Sequence, residues 1–367
     1  MGAPPLYLTH VLAPAPIGGL ELVVTTVIRG MKSRGHHVRV VALLDARASG
    51  EALASMADSG AEVIEIRLPR RSYRAEYRRL AAELSKARGT VVHTHGYHAD
   101  LVGLAAARAA GCPILSTAHG FTAGGPRNRL YEWLDRKALR RFDAVIAVSR
   151  PLRARLLRAG VQRERIHLVP NAYPASSPIL SRAEARARLG IPSDAVVAGW
   201  VGRLSHEKGP DLMLQALTEA PEWQVSVMGS GPLLESLQSR SRKLGVESRV
   251  RWHGVVPEAG TLLRAFDAFL LSSRTEGTPM VVLEAMAAGV PLVVLAVGGV
   301  PDVVTHREAE LVPLERASLL AEVLQAVRTH PEVAAQKAAK AQERLREAFA
   351  LEPWLDRYET IYRNLRS

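Results

Sequence analysis

Glu276 and Glu284 stand eight residues apart in the segment RTEGTPMVVLEAMAAGVP, residues 274–291. Thr278 suits a helix cap and Pro279 the first helical position, where no amide hydrogen is needed. Gly289 and Pro291 would end that helix. The spacing therefore predicts Glu276 in the loop ahead of the helix and Glu284 about one and a half turns inside it. Free amides of the loop and first turn, at the positive end of the helix dipole, favour a phosphate. Each carboxylate can accept hydrogen bonds from a sugar or ribose diol flanking that phosphate. A sugar joined to a nucleoside through a diphosphate presents its groups in that order. Two glutamates at this spacing also occur on solvated helices, so the weight falls on the intervening Gly277-Thr278-Pro279 and on a second motif.

That motif is GRLSHEKGPD, residues 202–211, which follows a predicted strand at Val196–Val201. Arg203 offers a planar fork and Lys208 a compact charge, and together they can neutralise a diphosphate leaving group. Lys208 is one of seven lysines beside 41 arginines. In the first half, Gly18-Gly19 open a predicted helix, where paired glycines allow close approach of a phosphate. The dinucleotide fingerprint Gly-x-Gly-x-x-Gly is missing there, which argues against a dehydrogenase. His119 sits at the carboxyl end of the predicted strand Pro113–Ala118, before Gly120, a placement that points it into a ligand crevice. His93, His95 and His98 raise the question of a metal, but no matching carboxylate accompanies them. His95, Tyr97 and His98 are read instead as lining an acceptor pocket.

Short β-branched runs alternate with helical patterns, which implies parallel sheets flanked by helices. Strands are expected at Leu6–Leu12, Val38–Leu44, Glu62–Arg67, Thr90–Thr94, Pro113–Ala118 and Ala144–Val148. A second series follows at Val196–Val201, Gln224–Met228, Val250–His253, Ala268–Leu271 and Leu292–Leu295. Between the two, Val169 to Pro178 gathers proline and serine, a hinge. The chain thus reads as α/β, two doubly wound Rossmann-like domains. The first spans 1–172, the second 173–350, and a helix at 351–367 packs back on the first.

At 367 residues, with 47% apolar and 23% charged side chains, the chain can bury two full cores. One cysteine, Cys112, excludes an internal disulfide and a cysteine-based zinc cluster, and suits a reducing compartment. No basic n-region with a cleavable apolar core precedes the first strand, so a cytoplasmic protein is expected. The net charge of +12 is lopsided: residues 1–175 hold 26 basic against 13 acidic side chains, and the rest 22 against 23. The basicity belongs to one domain's partner. Arg70, Arg71, Arg74, Arg78, Arg79, Lys86 and Arg88 cluster about one predicted helix, and Arg127, Arg129, Arg136, Lys137, Arg140 and Arg141 about another. Such faces can lie on an anionic membrane, meet a phosphorylated acceptor, or simply be solvated.

The motif GRLxxEKG, then Gly229-Ser230-Gly231-Pro232, then the paired glutamates, then Gly298-Gly299-Val300-Pro301-Asp302, resemble glycosyltransferase family 4 enzymes of the GT-B fold. The resemblance in order and spacing runs through residues 196–305, and the first-domain features extend it over most of the chain. It implies two domains facing a central cleft. It implies retaining transfer of a hexose-type sugar from a UDP- or GDP-sugar to an acceptor hydroxyl, without cofactor or essential metal. No Asp-x-Asp metal clamp occurs in the chain. By the same resemblance Arg203 and Lys208 hold the diphosphate, and Glu284 binds the ribose hydroxyls. Glu276 with Gly277, Thr278 and Pro279 orients the sugar, and the loop around Val256 meets the base. Gly18 and Gly19 face the diphosphate, and His119 contacts the donor sugar. Glu276 is an orienting group or a covalent nucleophile.

Family members often build cell-surface polysaccharides or glycolipids, which implies a lipid-linked or glycan acceptor and peripheral contact with the inner face of the plasma membrane. A small natural-product acceptor is the alternative. A phosphorylase or epimerase on the same scaffold lacks an obvious pyridoxal-phosphate lysine. A non-catalytic basic binding protein is a further alternative, but aromatics at 5% leave few stacking platforms for nucleic acid. The resemblance departs at Asn171-Ala172-Tyr173-Pro174, where the family continues with glycine and an acidic residue.

Overall fold

Both halves of the chain form the parallel sheets that their alternation predicts. The structure, a computed structural model, describes residues 3–14, 18–45, 51–69, 72–87, 89–120, 126–175 and 177–366. It divides into two compact units, residues 1–171 with 351–367, and residues 172–350.

The first unit carries seven strands: β1 (Tyr7–Leu12), β2 (His37–Asp45), β3 (Glu62–Leu68), β4 (Val91–His95), β5 (Ile114–Ala118), β6 (Ala144–Ala147) and β7 (Ile166–Leu168). Their order is β3-β2-β1-β4-β5-β6-β7, every pair parallel. The connecting helices are α1 (Gly19–Ser33), α2 (Glu51–Asp58), α3 (Tyr73–Lys86), α4 (Tyr97–Ala110), α5 (Pro126–Leu139) and α6 (Arg150–Arg158). Strand β7 escaped the sequence reading because three residues beside the hinge carry too little pattern to count. Alternation along β1 and β4 sends Val11 and Val92 into a core with Leu80 of α3, Val102 of α4 and Leu139 of α5. It sends His10, His93 and His95 to the other face.

The second unit has six strands: β8 (Val197–Val201), β9 (Gln224–Met228), β10 (Val250–Gly254), β11 (Ala268–Leu271), β12 (Leu292–Leu295) and β13 (Glu310–Val312). Their order is β10-β9-β8-β11-β12-β13, again all parallel. The helices are α7 (Arg182–Leu189), α8 (Pro210–Thr218), α9 (Leu234–Lys243), α10 (Met280–Ala288), α11 (Val300–Val303), α12 (Leu320–Thr329) and α13 (Pro331–Ala348). Strand β13, also three residues long, was likewise missed. No helix among the described residues is long and apolar enough to cross a membrane. Cys112 is a buried free thiol.

The last helix, α14 (Leu351–Arg366), belongs to the first unit. Trp354, Leu355, Tyr358, Ile361 and Tyr362 recur at helical spacing and are all buried. They cover the histidine face of the sheet, with the Tyr362 ring 5.7 Å from that of His93. Gly30 of α1 admits Leu355, since a Cβ there would stand 2.4 Å from that side chain. At the rim Arg34 joins Glu352, Asp356 and Glu359 at 2.7, 2.8 and 3.0 Å.

Trp354→Ala empties a buried site of this layer and is expected to cost on the order of 3–5 kcal/mol. Urea unfolding should show the transition of the first unit shifted and that of the second unchanged; an unshifted first transition would contradict this packing.

Candidate functional site

In each sheet the winding reverses once, between β1 and β4 and between β8 and β11. At such a switch point neighbouring connections leave a crevice beyond the carboxyl ends of the strands. The charged residues picked out by their spacing occupy the connections that follow β8 and β11.

After β8 the chain turns at Gly202 and Arg203, forms a 3-10 turn over His206–Lys208 and enters α8. Arg203 is exposed and makes no ion pair among the described residues. The Lys208 ammonium donates to Glu276 Oε1 at 2.7 Å and Oε2 at 3.0 Å. Ser273 donates to Glu276 Oε1 at 2.6 Å. Arg274 donates with both ends of its fork to Asp211, 2.7 Å each, and to the His206 carbonyl at 3.0 Å. Ser272 donates to the Gly209 carbonyl at 2.8 Å and accepts from the Trp200 indole at 3.0 Å. The two connections are thus tied by main chain, hydroxyls and ion pairs together.

Gly209 makes that contact possible, and Gly298, in the connection after β12, makes a second one. Gly209 has φ +61°, and a Cβ there would stand 2.0 Å from the Ser272 carbonyl oxygen. Gly298 has φ +50°, and its Cβ would stand 2.0 Å from the Glu276 carbonyl oxygen. The same carbonyl accepts from the Gly299 amide at 3.1 Å. Glu276 is therefore gripped at its backbone from one side and at its carboxylate from the other. The Gly229–Gly231 pair packs on the turn after β8, with Gly229 against the Gly202 carbonyl; it makes a close turn, as expected for a strand-to-helix passage.

Helix α10 begins at Met280, one residue later than the spacing predicts. Pro279 takes the N-cap position with ψ 107°, and no side chain caps the helix; Thr278 is buried beside it. Pro279 is itself extended, so the helical turn begins one residue later. Of the first-turn amides, Val282 donates to the Pro279 carbonyl at 3.1 Å, and no side chain caps the others. Glu284, half-buried in α10, has no hydrogen-bond or ion-pair partner among the described residues. The 3-10 segment at Gly260 closes over it, a Cβ there coming to 3.0 Å of the carboxyl carbon. Burial pushes the Glu284 carboxyl up to about 7. Burial, then the Glu284 charge, pushes the phenol of Tyr173 up. Val256 sits, half-buried, in the connection between β10 and this segment. Gly254, at its start, accepts from the Gly229 amide at 2.6 Å.

In the first unit Gly18 is the extended N-cap of α1 and Gly19 its first residue, both exposed at the β1 side of the switch point. His119 follows β5, half-buried, with Nε2 3.3 Å from His95 Nδ1. His95 Nε2 lies 3.0 Å from His10 Nδ1. The sequence reading missed His10 because a lone histidine in an apolar strand looks like core; its register opposite His93 brings it in. His93 is held by Tyr362 Oη and Thr117 Oγ1, 2.8 Å each. Tyr97 is partly exposed and stacks on Tyr131 at 5.3 Å. His98 departs from the expected pocket. It is buried between α3 and α4, 2.9 Å from Glu76, the carboxylate that the chain order concealed. Its ring thus serves helix packing, because α4 turns it away from the strand end. Of the basic helices, Arg74, Arg78, Arg79, Lys86, Lys137, Arg140 and Arg141 are exposed. Arg70, Arg71 and Arg88, and the side chains of Arg127 and Arg129, lie outside the described residues.

Two family models match the chain. The one described as glycosyltransferase family 4 matches residues 17–176, and the one described as glycosyl transferases group 1 matches residues 181–345. The chain is 31% identical over 253 residues to the D-inositol 3-phosphate glycosyltransferase of Xylanimonas cellulosilytica, covering 61% of this chain and 60% of that protein. It is 33% identical to the lipopolysaccharide core mannosyltransferase LpsB of Rhizobium meliloti, over 47% of this chain and 50% of that one. The chain therefore spans half to three fifths of the length of these relatives. HepE of Anabaena, solved with UDP and glucose, superposes with a TM-score of 0.86 at 20% identity, over 98% of this chain and 100% of that one. That likeness shows the fold, two Rossmann-like parallel-sheet domains of the GT-B kind.

A carboxyl raised from 4.5 to about 7 binds its proton more tightly folded than unfolded. Its carboxylate therefore costs stability progressively as pH rises through that window. Glutamine copies the shape of the protonated acid without the charge. Glu284→Gln should raise the thermal midpoint at pH 8 by roughly 3 °C or more and change it little at pH 5. Equal midpoints for both proteins at pH 8 would contradict the desolvation of Glu284.

Proposed function

The chain belongs to glycosyltransferase family 4, and from that premise we propose that it moves a hexose-type sugar from a UDP- or GDP-sugar to an acceptor hydroxyl with retention at the anomeric carbon. The observation that carries this reading is that the connections after β8 and β11, tied by the Lys208–Glu276 ion pair, carry an exposed cation, Arg203, and an unpartnered carboxylate, Glu284, one turn into α10. Arg203 and Lys208, with the amides of Gly277 and Met280, neutralise the diphosphate. Glu284 accepts from the ribose hydroxyls, and the loop at Val256 borders the base. Glu276 holds the sugar in the second unit; in the first unit Gly18 and Gly19 expose a helix N-terminus, and His119 follows β5.

In the reaction, the bond from the anomeric carbon to the diphosphate oxygen breaks. The bond to the acceptor oxygen forms on the same face, and the acceptor proton passes to the departing diphosphate. Charge grows on that leaving group, where Arg203 and Lys208 stabilise it. No metal is assigned a part, so the reading requires turnover in EDTA. Glu276 is assigned an orienting role. Both of its oxygens already accept from Lys208, and one also from Ser273; a carboxylate so engaged is a poor nucleophile.

The acceptor is assigned to cell-surface polysaccharide or glycolipid synthesis, in line with the similarity to LpsB, a mannosyltransferase of lipopolysaccharide core biosynthesis. Exposed Arg74, Arg78, Arg79 and Lys86 on α3, with Trp133 of α5 exposed beneath the Lys137 ammonium, suit an anionic lipid surface. A small-molecule acceptor is the second reading; Tyr97 stacked on Tyr131 near the end of β4 favours a flat or cyclic group there.

UDP- and GDP-sugars, screened by thermal shift in EDTA, should stabilise the wild type selectively, and Lys208→Ala should abolish the shift. Glu276→Gln should keep the shift and lose about 10²-fold or more in turnover. Unchanged turnover in Glu276→Gln, or no shift with any donor, would overturn the assignment.

A further inference from the structure

Three histidine rings run in line from the interior of the first unit to the end of β5. His10 Nδ1 faces His95 Nε2 at 3.0 Å, and His95 Nδ1 faces His119 Nε2 at 3.3 Å. The His10 and His95 rings are almost parallel, 6° apart. Strand register enforces the line, because His10 and His95 come from paired strands and project to the face that α14 covers. The inner end is sealed: His10 Nε2 is buried without a hydrogen-bond partner. The outer end is open, since His119 Nδ1 makes no hydrogen bond among the described residues.

All three rings are neutral at physiological pH. Burial pushes His10 down to about 3 and His119 down to about 4. His95 is held well below its ordinary value by burial first and then by its histidine neighbours. A neutral imidazole carries one N–H and one lone pair. Each ring-to-ring hydrogen bond therefore has a direction, and fixing one direction fixes both. If His119 donated inward to His95, and His95 to His10, the proton of His10 would sit on Nε2. That would bury an N–H with no acceptor. The reverse direction leaves only a lone pair on that atom. Burying an unsatisfied donor is the rarer and costlier arrangement.

We propose that His10 and His95 are positioning residues that set the tautomer of His119. His10 Nδ1–H donates to His95 Nε2, His95 Nδ1–H donates to His119 Nε2, and His119 presents its own Nδ1–H as a donor to an oxygen of the bound substrate. That this oxygen belongs to a donor sugar rests on the glycosyl-transfer reading; the tautomer does not. His93 stands beside the line and takes no part, its two nitrogens being held by Tyr362 and Thr117. A metal shared by His10, His93 and His95, whose ring nitrogens lie within 4.8 Å of one another, is the competing arrangement. It would have to strip His93 of one of its partners, and it has no carboxylate to balance its charge.

The test is nitrogen-15 NMR of histidine-labelled protein at pH 7.5, with His119→Gln to assign the signal. The wild type should show His119 protonated on Nδ1. His10→Phe should move it toward the Nε2–H form, and His10→Asn, whose amide can still donate to His95, should restore Nδ1–H. Where transfer is assayed, His10→Phe should lower kcat at least about 10-fold, with the donor KM and the Lys208-dependent thermal shift unchanged. A wild-type His119 protonated on Nε2 would overturn the proposal, even if His10→Phe failed to fold. So would an unmoved tautomer in folded His10→Phe, or uptake of one equivalent of Zn²⁺ by EDTA-treated protein that His10→Phe abolishes. The tautomer is read without turnover, so failure of the sugar-transfer reading leaves this test intact.

Discussion

The site of the second unit depends on main chain touching main chain at the carboxyl ends of β8, β11 and β12. At Gly209 and Gly298 there is no room for a Cβ against the Ser272 and Glu276 carbonyls, and both φ angles are ones that other residues avoid. Once these contacts close, the rest follows at short range. Lys208 reaches Glu276, Arg274 locks onto Asp211, and α10 starts four residues after Glu276 with no side-chain cap. A side chain at either glycine would separate the loops and disperse the charges. Precision here comes from sheet edges and glycine contacts, with the ion pairs tuning a geometry already imposed.

The arrangement is costly to the fold, which is informative. A folded chain normally pairs its buried carboxylates, yet Glu284 is left without a partner under Gly260 while its neighbour Glu276 accepts three hydrogen bonds. The two acids therefore play different parts. Glu276 is fixed in advance, with its charge compensated. Glu284 has acceptor capacity that hydroxyl donors can satisfy. In the first unit the histidines of β1 and β4 are likewise polar groups inside a core, but there every ring nitrogen except His10 Nε2 is held, ring to ring or by Tyr362 and Thr117. Specific polar contacts within a dry layer favour one side-chain arrangement over its rivals.

Much of this was legible in the chain before folding. Strands of four or more residues were visible in their β-branched runs, and Arg203, Lys208, Glu276 and Glu284 were visible through glycine and proline punctuation. The three-residue strands β7 and β13 were not, because so short a run has no period. The helix start was misplaced by one residue, since Pro279, expected inside the helix, is extended and takes the cap position. His98 and His10 show the harder limit. Which face of β1 or α4 meets which neighbour is decided by sheet order, and that order brings Glu76 to His98 and His10 to His95 across long stretches of sequence. A histidine's role is set by those partners, so residue type and local spacing leave it open.

The central claim is that a nucleoside diphosphate binds where the β8 and β11 connections meet. Amide hydrogen exchange of the wild-type protein, with and without saturating UDP or GDP, addresses it most directly. The account predicts slowed exchange confined to residues 202–209 and 277–284, with the connection around Val256 slowed to a smaller degree. Unchanged exchange in those segments under conditions where binding is saturated, with protection appearing elsewhere, would contradict it.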